Sequence, residues 1–108
     1  MKLLTKAIRD KLPPLYATES LSDDEKVVQV KFFTPDSSWT WYTIEWDKED
    51  TFFGLVVGFE VEMGYFSLSE LQETTGLWGL HIERDRYFKP CPLNQVPEYK
   101  KWIGREEK

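Results

Sequence analysis

The sequence predicts an α+β domain: an antiparallel, curled sheet of about four or five strands, with an N-terminal helix, a short middle helix and a C-terminal helix. Three observations carry that expectation. Between Lys26 and Phe66, short β-branched and aromatic runs are joined by brief polar turns, which suits hairpins and not the long crossovers of parallel strands. Before and after this stretch the apolar spacing becomes helical. At 108 residues with one cysteine, the chain is a single domain, residues 1–108, that builds its core without an internal disulfide.

The elements follow in order. Leu4, Ala7, Ile8 and Leu12 share a helical stripe, Thr5 is placed to cap it, and Pro13 and Pro14 stop it. "ATESLSDDEK" reads as a polar surface loop. "KVVQVKFF" is a strand with Val28, Val30 and Phe32 on one side. In "TPDSS", Pro35 presets a turn whose local amides Asp36 and Ser37 can bond. "WTWYTIEW" is the next strand, followed by the turn "DKED" and the largely buried strand "TFFGLVVGFE". Gly54 and Gly58 in that strand point to a bulge or a close backbone approach.

After the short strand "EMGYFSL", Ser67 and Glu70 have capping-box spacing, and Phe66 is placed to staple onto Leu71. That helix is expected to end near Thr75, with Gly76 terminating it. "ERDR" alternates charge as a protected edge strand does. Asn94 is placed to cap a final helix with Val96, Tyr99 and Trp102 or Ile103 inside, and Pro97 in its first turn.

The run "WTWYTIEW" raises the main functional question. Strict alternation puts Trp39, Trp41, Thr43 and Glu45 on one face and Thr40, Tyr42, Ile44 and Trp46 on the other. Aromatics divided in this way belong first to a core. Covering both faces in so small a domain requires helices on both, so one row is expected to stay partly open. Trp39 and Trp41 are the candidates, because Glu45 shares their face and a polar turn precedes them.

Chemical machinery is scarce. The carboxylates Glu45, Asp47, Glu49 and Asp50 bracket a turn, the kind of oxygen-rich cluster that hard cations take, but the spacing matches no calcium loop and Lys48 interrupts it. His81 is the only histidine and has no evident nucleophile to activate. Cys91 lies between two prolines with no base beside it. No phosphate-cradling loop, zinc spacing or dinucleotide fingerprint is present, so no cofactor is expected. The net charge of −5 conceals basic termini around an acidic middle, which opposes nucleic-acid binding through the sheet. Neither a signal peptide nor a membrane span is legible, so the expected location is cytoplasmic.

"MKLLT", "KFFTPDSSWTWYTIEWD", "DTFFGLVVGFEVEMGYFSLSEL" and "GLHIERDRYFKPCPL" together resemble a family of short bacterial proteins known as a domain of unknown function, family 2958. The resemblance runs from Met1 to about Leu93 and is most specific at "GYFSLSEL" and "IERD". It implies proline where this chain has His81, and an accessory role on plasmids, phages and integrative elements. It transfers no catalytic residue.

The function expected from these readings is a non-enzymatic module that docks a protein, with Trp39 and Trp41 as anchors among Glu45, Asp47 and Asp50. One variant is an acidic, DNA-mimicking inhibitor. The alternatives are a small metal-dependent enzyme built on Glu45, Asp47 and Asp50, and nucleic-acid binding by the basic termini.

Overall fold

A computed structural model describes residues 2–104. Helix α1 is Lys6–Lys11, with Thr5 accepting from the Ile8 amide as its N-cap. Strands β1 (Val27–Val28), β2 (Val30–Phe33), β3 (Thr40–Trp46), β4 (Thr51–Val57) and β5 (Val61–Ser67) lead into helix α2 (Leu68–Glu73). Strands β6 (Glu83–Arg84) and β7 (Cys91–Pro92) and helix α3 (Pro97–Trp102) complete the chain. An open five-stranded antiparallel sheet runs β5-β4-β3-β2-β6, and β1 pairs separately with β7. This is the α+β architecture the sequence predicts. "ERDR" supplies β6, the short charged strand at one sheet edge.

The alternation read for β3 fails at one place. Thr43 pairs with Gly54, but Glu45 pairs with Phe53, so Ile44 is an extra residue on the β3 side. Beyond this bulge the faces exchange. Trp41 and Trp46, assigned to opposite faces by counting, share one core cluster, while Tyr42 and Ile44 share the other. Glu45 leaves the Trp41 face and stands with Phe53. Gly54 permits the bulge: a Cβ there would lie 2.0 Å from the Tyr42 carbonyl oxygen. A second break comes at Gln29, whose amide bonds the Thr43 carbonyl. It sends Val28 to the Tyr42 cluster, while Val30 and Phe32 join the Trp41 cluster.

Both faces of the sheet are covered. Leu3, Leu4, Ile8 and Leu12 around α1, with Leu68 and Leu71 of α2, close over Phe32, Trp41, Trp46 and Phe52. Leu93, Val96 and Tyr99 lie with Tyr42, Ile44 and Leu55 on the other side. Helices on both faces are the condition under which an aromatic row becomes core.

Three local expectations are revised. Helix α2 ends at Glu73, and Gly76 does not terminate it. A Cβ on Gly76 would fall 1.6 Å from an Asp36 carboxylate oxygen, so this glycine serves a close approach. Ser67 caps α2 as read, but its hydroxyl donates to Asp50, which also accepts from the Ser69 amide and hydroxyl. Finally, Val96 stands at the N-cap of α3 in place of Asn94, and Trp102 is half-exposed.

Candidate functional site

Each end of β3 carries a carboxylate that holds a loop remote in sequence. Before β3, one oxygen of Asp36 accepts from the Trp78 amide at 2.6 Å and the Leu80 amide at 3.3 Å. Its other oxygen is buried against Gly76. Asp36 therefore bonds amides 42 and 44 residues away, and not the local turn. The turn closes instead through Thr34, whose hydroxyl accepts from the Trp39 amide and meets the Ser37 hydroxyl.

Fixing residues 76–80 in this way has a clear consequence. The segment "GLWGL" projects Leu77 and Trp78 into solvent at 82% and 79% exposure. Beside it the half-buried Trp39 indole lies on Gly58, where a Cβ would come within 2.3 Å of the ring. Trp39 stacks on Trp41 at 5.9 Å and meets Phe59 edge-on at 5.4 Å. Phe59, in the β4–β5 turn, is 94% exposed. A groove of about 480 Å³ runs from Trp39 and Trp41 to Thr74 and Leu77. The apolar surface at this end is thus Trp39, Phe59, Leu77 and Trp78. Trp41 lies beneath it at 7% exposure and does not reach solvent as an anchor.

At the other end of β3, Glu45 is 3% exposed. Its oxygens accept from the amides of Tyr16 and Thr18, each at 2.9 Å, and from the Thr18 hydroxyl. The buried Lys26 holds the same loop from below, donating to the carbonyls of Thr18 and Leu21 at 2.5 and 3.1 Å. Under this restraint Tyr16 adopts a φ of 71°, unusual for a residue with a side chain. Its loop forms one wall of a cavity of about 330 Å³ bordered also by Phe53 and Tyr65. Tyr65, more than half exposed, is shifted above the ordinary phenol range by partial loss of hydration at the cavity wall and then by the Tyr16 hydroxyl.

Asp47 and Asp50 serve the β3–β4 turn and helix α2. One Asp47 oxygen accepts from the amides of Glu49, Asp50 and Thr51, with Lys48 between them at a φ of 72°. Those amides, Thr51 first, hold Asp47 below the usual carboxylate range, and the Ser67 hydroxyl leads the same effect on Asp50. Glu45, Asp47 and Asp50 are bound into three different loops, and among the described residues no group of three metal-ligating side chains converges. His81 is exposed and bridges Thr75. Cys91 is partly buried, and burial raises its thiol. Tyr42 is raised by burial and by its bond to Glu98 at 2.9 Å. The basic residues of α1 and α3 belong to layers on opposite faces of the sheet, and Arg105 and Lys108 lie outside the described residues.

The sequence counts Phe59 into the buried strand "TFFGLVVGFE", but β4 stops at Val57 and Phe59 stands exposed in the turn that follows, while Leu77 and Trp78 lie in a loop that periodicity does not reach. Their signal was present in the sequence. "GLWG" sets large apolar residues between glycines, outside any alternating run, where no core is available, and Gly58 before Phe59 is a place for a strand to end.

These features define an open-sheet α+β domain with an aromatic tip and a polar cavity at opposite ends of one bulged strand. The chain belongs to the family described as protein of unknown function DUF2958, whose model matches residues 3–106. That span continues past Leu93, so α3 is part of the family's domain. No curated protein and no solved structure matches the chain. Among the described residues no helix is long and apolar enough to cross a membrane.

Proposed function

We propose that this chain is a non-enzymatic protein-docking module whose contact surface is the tip formed by Trp39, Phe59, Leu77 and Trp78. The observation that carries the reading is the combination of exposure and restraint. Leu77 and Trp78 face solvent while the backbone amides of Trp78 and Leu80 are tied to Asp36. Large apolar side chains held out by a built clamp suit a binding surface, because little conformational freedom is lost on contact. Exposed aromatics around a groove are the usual anchors of such surfaces.

The same module fits an accessory role in the cytoplasm, in the biology of bacterial mobile elements and phages. The acidic surface is less suited to imitating DNA than the sequence suggests, because Asp36, Glu45, Asp47 and Asp50 are turned toward their own fold's amides and hydroxyls. The same commitment of Glu45, Asp47 and Asp50 lends no support to a metal-dependent enzyme. Separation of α1 and α3 by the sheet likewise lends none to a joined basic patch.

A photo-crosslinking amino acid placed at position 59 or 78 in bacterial cells tests the reading, with position 87 as a control because Tyr87 is also 88% exposed. Discrete protein adducts from 59 and 78, absent from 87 and competed by the unlabelled chain, are the expected result. Adducts equal at all three positions, or none at the tip, would overturn it.

A further inference from the structure

The cavity beside Glu45 shares no lining residue with the groove at the docking tip. We propose that it binds an organic ammonium group, such as the head of a quaternary amine or a methylated lysine side chain.

Four observations lead there. First, aromatic rings from three separate segments border one cavity: Tyr16 from the loop, Phe53 from β4 and Tyr65 from β5. Phe53 and Tyr65 pair with centroids 5.2 Å apart. Ring faces attract cations through their quadrupole, and aromatic enclosures are the recurring solution for alkylated ammonium.

Second, the charges around the cavity are mostly negative. Glu19 and Asp23 contribute exposed carboxylates and Glu45 a buried one already bonded to the Tyr16 and Thr18 amides, against the single ammonium of Lys26. That ammonium is committed to the Thr18 and Leu21 carbonyls and lies 3.9 Å from Asp23. An anionic ligand would meet the carboxylates first. A cationic one would find both ring faces and counter-charge.

Third, the site is costly to build. Two oppositely charged side chains, Glu45 at 3% exposure and Lys26 at 6%, are buried without pairing to each other. Both are used to hold one loop, and that loop carries Tyr16 in a left-handed conformation. A backbone of this kind is unfavourable for a residue with a side chain and persists only where its surroundings impose it. The arrangement sets Tyr16 and Tyr65 on the rim of the same cavity, both rings more than half exposed and open to a ligand.

Fourth, the volume is right. About 330 Å³ falls at the small end of ligand cavities, enough for an alkylated ammonium head with a short chain.

The experiment is an amide-shift NMR titration of the full chain with choline, with a peptide containing trimethyllysine, and with the same peptide unmodified. The uncharged choline isostere 3,3-dimethylbutanol and salt-matched sodium chloride serve as controls. Saturable shifts confined to Tyr16, Thr18, Phe53 and Tyr65 and their neighbours are expected with the methylated cations. Binding should be about tenfold weaker for the neutral isostere. Preference for choline would indicate a free small molecule, and preference for the trimethyllysine peptide a modified protein tail. Glu19→Gln/Asp23→Asn and Tyr65→Leu, all at surface positions, should each weaken binding several-fold with the spectrum otherwise intact. No saturable shift with any cation would overturn the proposal, as would equal binding of the isostere.

Discussion

The two ends of β3 use one device to opposite effect. At each end a carboxylate accepts from two backbone amides spaced two residues apart in a distant loop: Asp36 from Trp78 and Leu80, Glu45 from Tyr16 and Thr18. At the Asp36 end the loop is pinned flat, and its apolar side chains are thrown outward as a tip. At the Glu45 end the loop is pinned over the sheet and encloses a cavity. What differs is what lies beneath. Near Asp36, the stacked Trp39 and Trp41 indoles border an apolar groove of about 480 Å³, with Trp39 lying on Gly58 and no charged side chain among its walls. Near Glu45, the bulge at Ile44 lifts a charged side chain onto the face that carries Phe53 and Tyr65. The comparison shows that a carboxylate turned toward its own fold can be a device for presenting a loop, and that sheet parity decides which surface results.

Altering that parity should have the largest effect. Gly54→Val places side-chain atoms against the Tyr42 carbonyl and should destabilise by about 3 kcal/mol or more, read as a lost or greatly lowered thermal midpoint. Next, Trp41→Ala should cost about 3–5 kcal/mol in denaturant unfolding, because its indole is core. Phe59→Ser, on the exposed tip above it, should stay within about 0.5 kcal/mol of the parent. If the two substitutions cost the same, the division between core and tip is wrong.

Removing Glu45 leaves two part-buried amides without their acceptor, so Glu45→Ala should cost about 1–3 kcal/mol. Gly76→Ala expels Asp36 from its seat and should release the 76–80 loop with a smaller loss, visible as faster amide exchange at Leu80.

The smallest effect is one of pH. Asp47 and Asp50 have folded-state pKa values below their unfolded ones. Their contribution is therefore present above the unfolded carboxylate range and is lost as pH falls through the depressed folded values. An Asp47→Asn/Asp50→Asn variant should show a flatter decline of stability over that acidic window than the parent does.

Much of the fold was legible because local chemistry and tertiary packing agree. Thr5, Pro13, Ser67 and Pro97 mark their helices by satisfying or lacking end amides, and those facts do not depend on distant contacts. The hairpins follow from the brief turns between β2 and β5. The site was less legible, for two physical reasons. A bulge inserts a single residue, and counting has no means to place it; Gly54 signalled a close approach without saying that Trp46 and Glu45 would change sides. In addition, the sequence suggests local turn amides for Asp36 and a docking rim or metal for Glu45, whereas both bond amides dozens of residues away. Trp39 keeps a place at the tip and Trp41 does not; Phe59 leaves the strand it is counted into, and Leu77 and Trp78 come from a loop that no periodicity reaches.

The most direct test follows amide hydrogen exchange at Thr18 and Leu80 in the parent, in Glu45→Gln and in Asp36→Ala. Each substitution should accelerate exchange at its own loop amide by at least about tenfold while leaving the other loop and the β3–β4 amides protected. Both loop amides exchanging as fast in the parent as in the variants, or either substitution releasing both loops together, would contradict the assignment of one carboxylate clamp to each end of the strand.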